Sequence, residues 1–424
     1  MRGTGRAEVT ITGLGVVSPI GVGLDAFAEA LFAGRSAGRH VEGFDTREWR
    51  SLVCCPVSGF EPTDFMERRA AKRMDRAGHL GVAAAQLALR DAGLWASTTA
   101  ATLIGVDPNR VAVVTGTCAP MEWVWTAHEA CFTRGPRAVP PSTVLASFCD
   151  AAAAQIAIHV GAFGPCHTVS TACASGADAL GLALWLLESD QADVVIAGGV
   201  EAPIVPSTMI AFGQARALSE RNDAPESASR PFAIDRDGFV MGEGAGLLIL
   251  ERREFARARG APVRAVLASH AATCDAAHMT APAEDGAQRA RAMRLAVERA
   301  GLAPSDLGAV LAHGTGTPHN DVNETQVVRA VFGPHADALG VPALKSMVGH
   351  CLGAAAGLAA VAGVLCLQAQ RLHPTLHLTD ARLDPRCDLD YVRHGARPAR
   401  LKHLALNAFG FGGKNACVVL SAAP

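Results

Sequence analysis

Short runs of β-branched and apolar residues alternate with long alanine- and leucine-rich stretches along the whole chain, and this alternation limits the folds open to it. VTITGLGVV is followed by a helical segment over Leu24–Ala33. VAVVTG, VVIAGGVEA, GLLILE, VRAVLASHA, LGAVLAHG and LNAFGFGGKNACVVL then recur with helical patterns between them. Strands of this kind separated by helices predict an α/β protein whose sheets are covered on both faces. At 424 residues the chain exceeds one core of ordinary size, so two domains or two closely packed halves are expected. The charged segment ERREFARARGAP, residues 251–262, is the candidate link, dividing an N-terminal half 1–259 from a C-terminal half 260–424.

Half the residues are hydrophobic and only 18% are charged, with a formal net charge of -2, so no whole-protein field draws in nucleic acid or an anionic membrane. Neither is an expected partner. The twelve cysteines form no CxxC pair and no His/Cys spacing suited to zinc, and MRGTGRAEVTITG does not resemble a secretory signal. A cytoplasmic location with reduced thiols is expected. Cys351 to Gln370 run without a charge, close to the span of about 20 apolar residues that crosses a bilayer. The run is mostly small residues, which predicts a helix buried inside the protein instead.

VSTACASG places Cys173 between a strand and the helical ADALGLALWLLE. Two readings of the residue stand open. It packs as a small apolar side chain at a helix start, or it is a thiol whose pKa the helix N-terminus lowers from about 8.5 towards about 3.5–7.5. In the second reading Ala172, Ala174, Ser175 and Gly176 are small enough to leave backbone N–H groups free for an oxyanion. Two glycine-rich loops each carry a histidine. LAHGTGTPHND puts His313 after an apolar strand, ahead of Thr315 and Thr317, and LKSMVGHCLGAAAG puts His350 before the uncharged helix, five residues after Lys345. Paired imidazoles in such loops fit chemistry in which neutral Nε2–H groups hydrogen-bond a carbonyl that becomes an enolate.

In order and spacing, TACASG, AHGTGTPHND, KSMVGHCLGAA and NAFGFGGKNA resemble signature segments of the β-ketoacyl-acyl carrier protein synthases, thiolase-like condensing enzymes that include the type II polyketide ketosynthases. ITGLGVVSPIG and RPFAIDRDGFVMGEGAGLLILE extend the resemblance from about Val9 to Leu420. It implies a five-layered αβαβα fold of two pseudo-twofold-related halves, usually dimeric. It implies Cys173 as the acyl-accepting nucleophile, and His313 and His350 as the pair that binds a malonyl thioester during decarboxylation. Lys345 would organise the site, and Phe411 would be both gate and, with the Cys173 amide, oxyanion donor. Phe409 also falls in the substrate-binding set. Thr315 and Thr317, with Thr280, would hold the pantetheine arm, and Asp321 and Glu324 would serve structure. No metal or organic cofactor is implied, because substrates arrive on the phosphopantetheine of an acyl carrier protein. That acidic partner would meet Arg68, Arg69, Lys72 and Arg73, grouped on one side of a helix, or Arg134, Arg137 and Arg216. The dimer partner would be a second copy or a chain-length-factor-like subunit.

The chain departs from the family pattern at several positions. Ala356 stands where glycine is usual and Ala359 where glutamate is usual, a loss expected to leave Lys345 without a partner. Lys414 replaces a usual histidine or threonine, and Trp123 and Trp125 fall near the implied acyl pocket and dimer contact. These differences point to a specialised polyketide or lipid pathway. A scaffold role like that of the chain-length factors is the alternative, but those subunits lack the nucleophile that Cys173 supplies. A thiolase would carry a second catalytic cysteine in a CxG motif, whereas Cys417 lies in NACVVL.

Overall fold

The computed structural model describes residues 8–95, 103–119 and 121–423. Nine principal strands form the sheet: β1 (Val9–Ser18), β2 (Val111–Gly116), β3 (Cys166–Val169), β4 (Val194–Glu201), β5 (Gly244–Arg252), β6 (Ala265–Cys274), β7 (Leu307–Leu311), β8 (His403–Gly410) and β9 (Lys414–Ala422). Their order is β7-β8-β9-β6-β1-β5-β4-β2-β3. At the seam, β1 and β6 pair antiparallel, Val9 opposite Leu267 and Ile11 opposite Ala265. Outward from the seam in either direction the pattern is the same. An antiparallel neighbour (β5 or β9) comes first, then a second (β4 or β8), then a strand parallel to it (β2 or β7). Repetition about an antiparallel seam is the trace of an internal twofold, as expected of two related halves.

Helices fill the spaces that apolar strands require. Leu80 and Leu89 of α1 (Arg76–Asp91) and Ile156 of α2 (Ala151–Val160) cover Val113, Val194 and Leu247 on the outer face of the N-terminal half. Met293 of α4 (Ala287–Arg299) and Val328 of α5 (Pro318–Phe332) cover Val310, Ala405 and Val419 on the other side. Between the two half-sheets lie α3 (Ser175–Glu188) and α6 (Ala355–Ala369), whose Leu180, Leu187, Leu358 and Val361 pack with strand residues of both halves. The layers therefore run α, β, α, β, α.

The uncharged run is this central helix. Leu352–Ala369 has the length and apolarity of a bilayer span but sits between sheets, and α6 lacks a polar face because protein surrounds it. Its approach to the sheet is close enough to demand glycine. A Cβ on Gly357 would fall 2.3 Å from the Gly246 carbonyl oxygen and 2.5 Å from the Gly199 nitrogen.

Two segments differ from their sequence reading. LNAFGFGGKNACVVL is not one strand but the hairpin β8–β9, with Phe411 at its tip and Gly412 and Gly413 turning the chain at φ of 75° and 71°. MERRAAKRMD does not form one helix either. A single turn, Arg68–Ala71, ends at Lys72, and the next helix begins at Arg76, capped by the Asp75 side chain on Gly78 N at 2.7 Å. Arg68, Arg69, Lys72 and Arg73 are nevertheless all exposed.

Candidate active site

Cys173 occupies a tight elbow between β3 and α3. Ala172, before it, holds a left-handed φ of 53°, a conformation costly for a side chain with a Cβ and kept only where its surroundings over-determine it. Those surroundings are specific. Ser175 Oγ accepts from Thr171 N at 2.9 Å and donates to the Ala172 carbonyl at 2.6 Å. The Thr171 hydroxyl donates to Asp178 Oδ2 at 2.6 Å, and Asp178 Oδ1 lies 2.8 Å from His270 Nε2 on β6, tying the elbow to the other half.

The thiol lines a cavity of about 290 Å³ shared with His313, His350, Phe409, Phe411 and Thr315. They arrive from three segments, His313 and Thr315 from the loop after β7, His350 from the approach to α6, and Phe409 and Phe411 from the β8–β9 hairpin. His313 follows β7, its N–H donating to Glu324 Oε1 at 2.7 Å and that of Gly314 to Glu324 Oε2 at 2.8 Å. His350 precedes α6, its N–H held by the Val240 carbonyl at 2.7 Å. The two imidazoles meet edge to face, centroids 5.4 Å apart at 85°. Phe409 stands edge-on to His313 at 5.8 Å, and Phe411, 40% exposed, leans towards Phe212 at the mouth. Thr315 and Thr317 join through hydroxyls 2.9 Å apart, and exposed Thr280 forms part of the rim. Of the seven basic residues singled out, Arg216 alone lines this cavity.

Electrostatics here overturn one expectation. Burial pushes the Cys173 thiol up to about 11, against the pull of the Lys345 ammonium and the Phe411 and Cys173 amides, with Glu201 adding to the rise. At 9% exposure the cost of desolvating a thiolate exceeds what the helix terminus returns. Burial first, then Lys345, also drives both imidazoles well below their ordinary value, so each is neutral. Lys345 Nζ donates to the His313 carbonyl at 2.5 Å and lies 3.5 Å from His313 Nδ1, a contact that favours the tautomer with the ring proton on Nε2. Lys345 is thus not left unpartnered by Ala359, which is half-buried on α6, and the electrostatic pull of Glu324 offsets part of its burial.

Asp321 accepts from the Phe232, Thr315 and Gly316 amides, the structural use expected of it. Ala356 is buried within the middle layer. Lys414 is exposed, and Trp125 lines a separate cleft of about 810 Å³ with Trp49 and Ile204, while Trp123 is half-buried. Two residues escaped the sequence reading. Glu201, fully buried, gathers the Thr117 hydroxyl and the Cys118, Ala119 and Gly353 amides behind the thiol. Arg289 lines the cavity itself. The order VEA after an apolar strand was the only hint of the first.

The geometry agrees with what the chain is similar to. The β-ketoacyl synthase N-terminal domain matches residues 6–256 and the corresponding C-terminal domain residues 264–379. A 3-oxoacyl-[acyl-carrier-protein] synthase 2 from Synechocystis is 40% identical over 411 residues, 97% of each chain. Among solved structures, the ishigamide ketosynthase/chain length factor superposes with a TM-score of 0.90 at 33% identity, covering 99% of this chain and 100% of that one. A complex of a type II PKS acyl-carrier protein with its ketosynthase bound to the hexaketide gives 0.88 at 32%, covering 99% and 100%. With nearly the whole length matched and the three loops converging on one cavity, the chain belongs to the β-ketoacyl synthase family.

Proposed function

We propose that this protein is a β-ketoacyl-acyl carrier protein synthase that joins an acyl group on Cys173 to malonyl carrier protein, in a specialised polyketide or fatty-acid pathway. The observation that carries the reading is the single cavity in which one thiol faces two neutral imidazoles. In the first step the Cys173 sulfur displaces the pantetheine thiol of an acyl carrier protein, and the thiol proton ends on the departing sulfur. The malonyl thioester then places its carbonyl oxygen against the Nε2–H groups of His313 and His350. As the bond to the carboxylate breaks and CO2 leaves, the electron pair becomes an enolate whose charge those donors hold. The enolate carbon attacks the acyl carbonyl, the oxyanion meets the amides of Cys173 and Phe411, and collapse expels the Cys173 thiolate. The product is a β-ketoacyl thioester longer by two carbons.

Thr280, Thr315 and Thr317 are assigned to the pantetheine arm, Phe409 and Phe411 to the walls of its channel, and Lys345 to orienting His313. The exposed cations at Arg216 and at Arg68–Arg73 suit an acidic carrier protein, though single exposed pairs contribute only about 0–1 kcal/mol. The two halves are taken to divide at residues 259 and 260, after the short helix Arg253–Ala258 that leads from β5 to β6. Twelve free cysteines suit a reducing cytoplasm.

Intact mass spectrometry after incubation with acyl carrier protein tests the reading. Wild type gains one acyl group and Cys173→Ala gains none. His313→Ala and His350→Ala accept the acyl group but release CO2 from malonyl carrier protein at least about a hundredfold more slowly, the cost of removing one donor to developing charge. A wild type that never acylates, alone or with a partner subunit, would favour a scaffold role.

A further inference from the structure

Arg289, on α4, is 5% exposed and lines the cavity that holds Cys173, His313 and His350. Its Nη1 donates to Asn320 Oδ1 and Asn323 Oδ1, both at 3.0 Å. The guanidinium carbon lies 4.4 Å from the centroid of the Phe409 ring, the same ring that stands edge-on to His313. The rest of the group is unsatisfied. Nε is buried with no hydrogen-bond partner, and Nη2 makes none among the described residues.

No carboxylate forms an ion pair with this cation among the described residues. The three that act on it electrostatically, Glu324, Asp275 and Asp321, are engaged elsewhere. Glu324 accepts from the His313 and Gly314 amides, Asp275 from Asn415 and the Ala283 amide, and Asp321 from the Phe232, Thr315 and Gly316 amides. A buried charge whose direct contacts are only neutral amide oxygens and a ring is costly, and the cost falls when an anion makes contact with it. Of the two unused nitrogens Nη2 keeps accessible surface and Nε does not, so a carboxylate reaches the guanidinium through Nη2, in a charge-assisted hydrogen bond.

We infer that Arg289 is a specificity-determining residue that holds the carboxylate of the malonyl unit, so that the cavity takes a carboxylated thioester in preference to one without that group. This rests on the condensation read above, whose substrate brings a carboxylate into this cavity. The contact belongs to the ground state, because the charge it grips leaves as neutral CO2. Such a contact lowers KM without raising kcat.

The test compares amide-linked malonyl-pantetheine and acetyl-pantetheine, neither of which can acylate Cys173, by titration calorimetry on the full chain. Wild type binds the malonyl compound at least about tenfold more tightly, the scale of one charge-assisted hydrogen bond. Arg289→Met brings that ratio to about one, Arg289→Lys keeps part of it, and in turnover Arg289→Met raises KM for malonyl carrier protein while kcat holds or rises. An equal ratio in wild type and Arg289→Met, or an equal loss of both compounds and of kcat, overturns the assignment. Failure of wild type to acylate would sink the condensation reading, whereas an unchanged ratio in an enzyme that acylates normally sinks this inference alone.

Discussion

At the level of single residues, burial sets the charge of the groups lining the cavity near Cys173. Desolvation pushes the Cys173 thiol up to about 11 and keeps both imidazoles uncharged, so that thiol and imidazoles share one small space without mutual repulsion. The thiolate is the form that alkylates, and a raised pKa means it accumulates only as pH climbs towards that value. Iodoacetamide labelling of Cys173 in the free enzyme is therefore expected to accelerate about tenfold per pH unit from pH 7.5 to 10, followed by peptide mass spectrometry to separate it from exposed Cys149, Cys166 and Cys274. A plateau below pH 8 would mean the helix terminus governs the thiol after all. The sequence made Cys173, His313 and His350 legible because each lies in a loop whose small neighbours are visible in one dimension. Arg289 was not legible. In a chain with 38 lysines and arginines, nothing local separates an arginine on a helix face turned to solvent from one turned into a cavity.

At the level of elements, the site depends on how closely α6 lies on the sheet. His350 and Gly353 lead directly into that helix, and Gly353 N is held by Glu201 Oε2 at 3.1 Å, so a shift of α6 moves the imidazole relative to the thiol. Gly357→Ala places a methyl group 2.3 Å from the Gly246 carbonyl oxygen, and the backbone there cannot swing aside as a side chain would. The expected outcome is a loss of about 1–3 kcal/mol in urea unfolding, the range for overpacked cores, with slower malonyl decarboxylation. An unchanged midpoint and rate would show that the layer yields. The alternation of strands and helices was readable from apolar periodicity, and the burial of the uncharged run from its small residues. The β8–β9 hairpin was hidden because NAFGFGGKNA carries apolar residues straight through its turn. The basic run at Arg68 misled for the converse reason, since RRAAKR is made of good helix formers, yet the turn ends at Lys72 and Asp75 caps a new helix.

At the level of the whole molecule, the sheet has two edges, one at β7, met only by an isolated bridge between Ala309 and Gly340, and one at β3. Beyond β2, the edge strand β3 has no further neighbour among the described residues, and Cys166 and His167 are exposed. Beside it stand Ile158 at the end of α2, Phe163 before the strand and Trp185 on α3, at 73%, 71% and 58% exposure. An open edge flanked by large apolar side chains is a pairing surface, and a twofold, edge-to-edge contact uses it up without leaving a new one. The wild-type chain, alone in solution, is expected to scatter light as two copies of 43.8 kDa, and Ile158→Asp combined with Trp185→Glu as one. The contact also reaches the chemistry. From Val169 the chain passes through Ser170, Thr171 and strained Ala172 to Cys173, so a partner strand that fixes β3 also fixes the start of the elbow. Acylation of Cys173 should accordingly slow in the charged double variant even though neither changed residue lines the cavity. A monomeric wild type would defeat self-pairing, and a monomeric variant that acylates at the wild-type rate would defeat the link between the edge and the elbow.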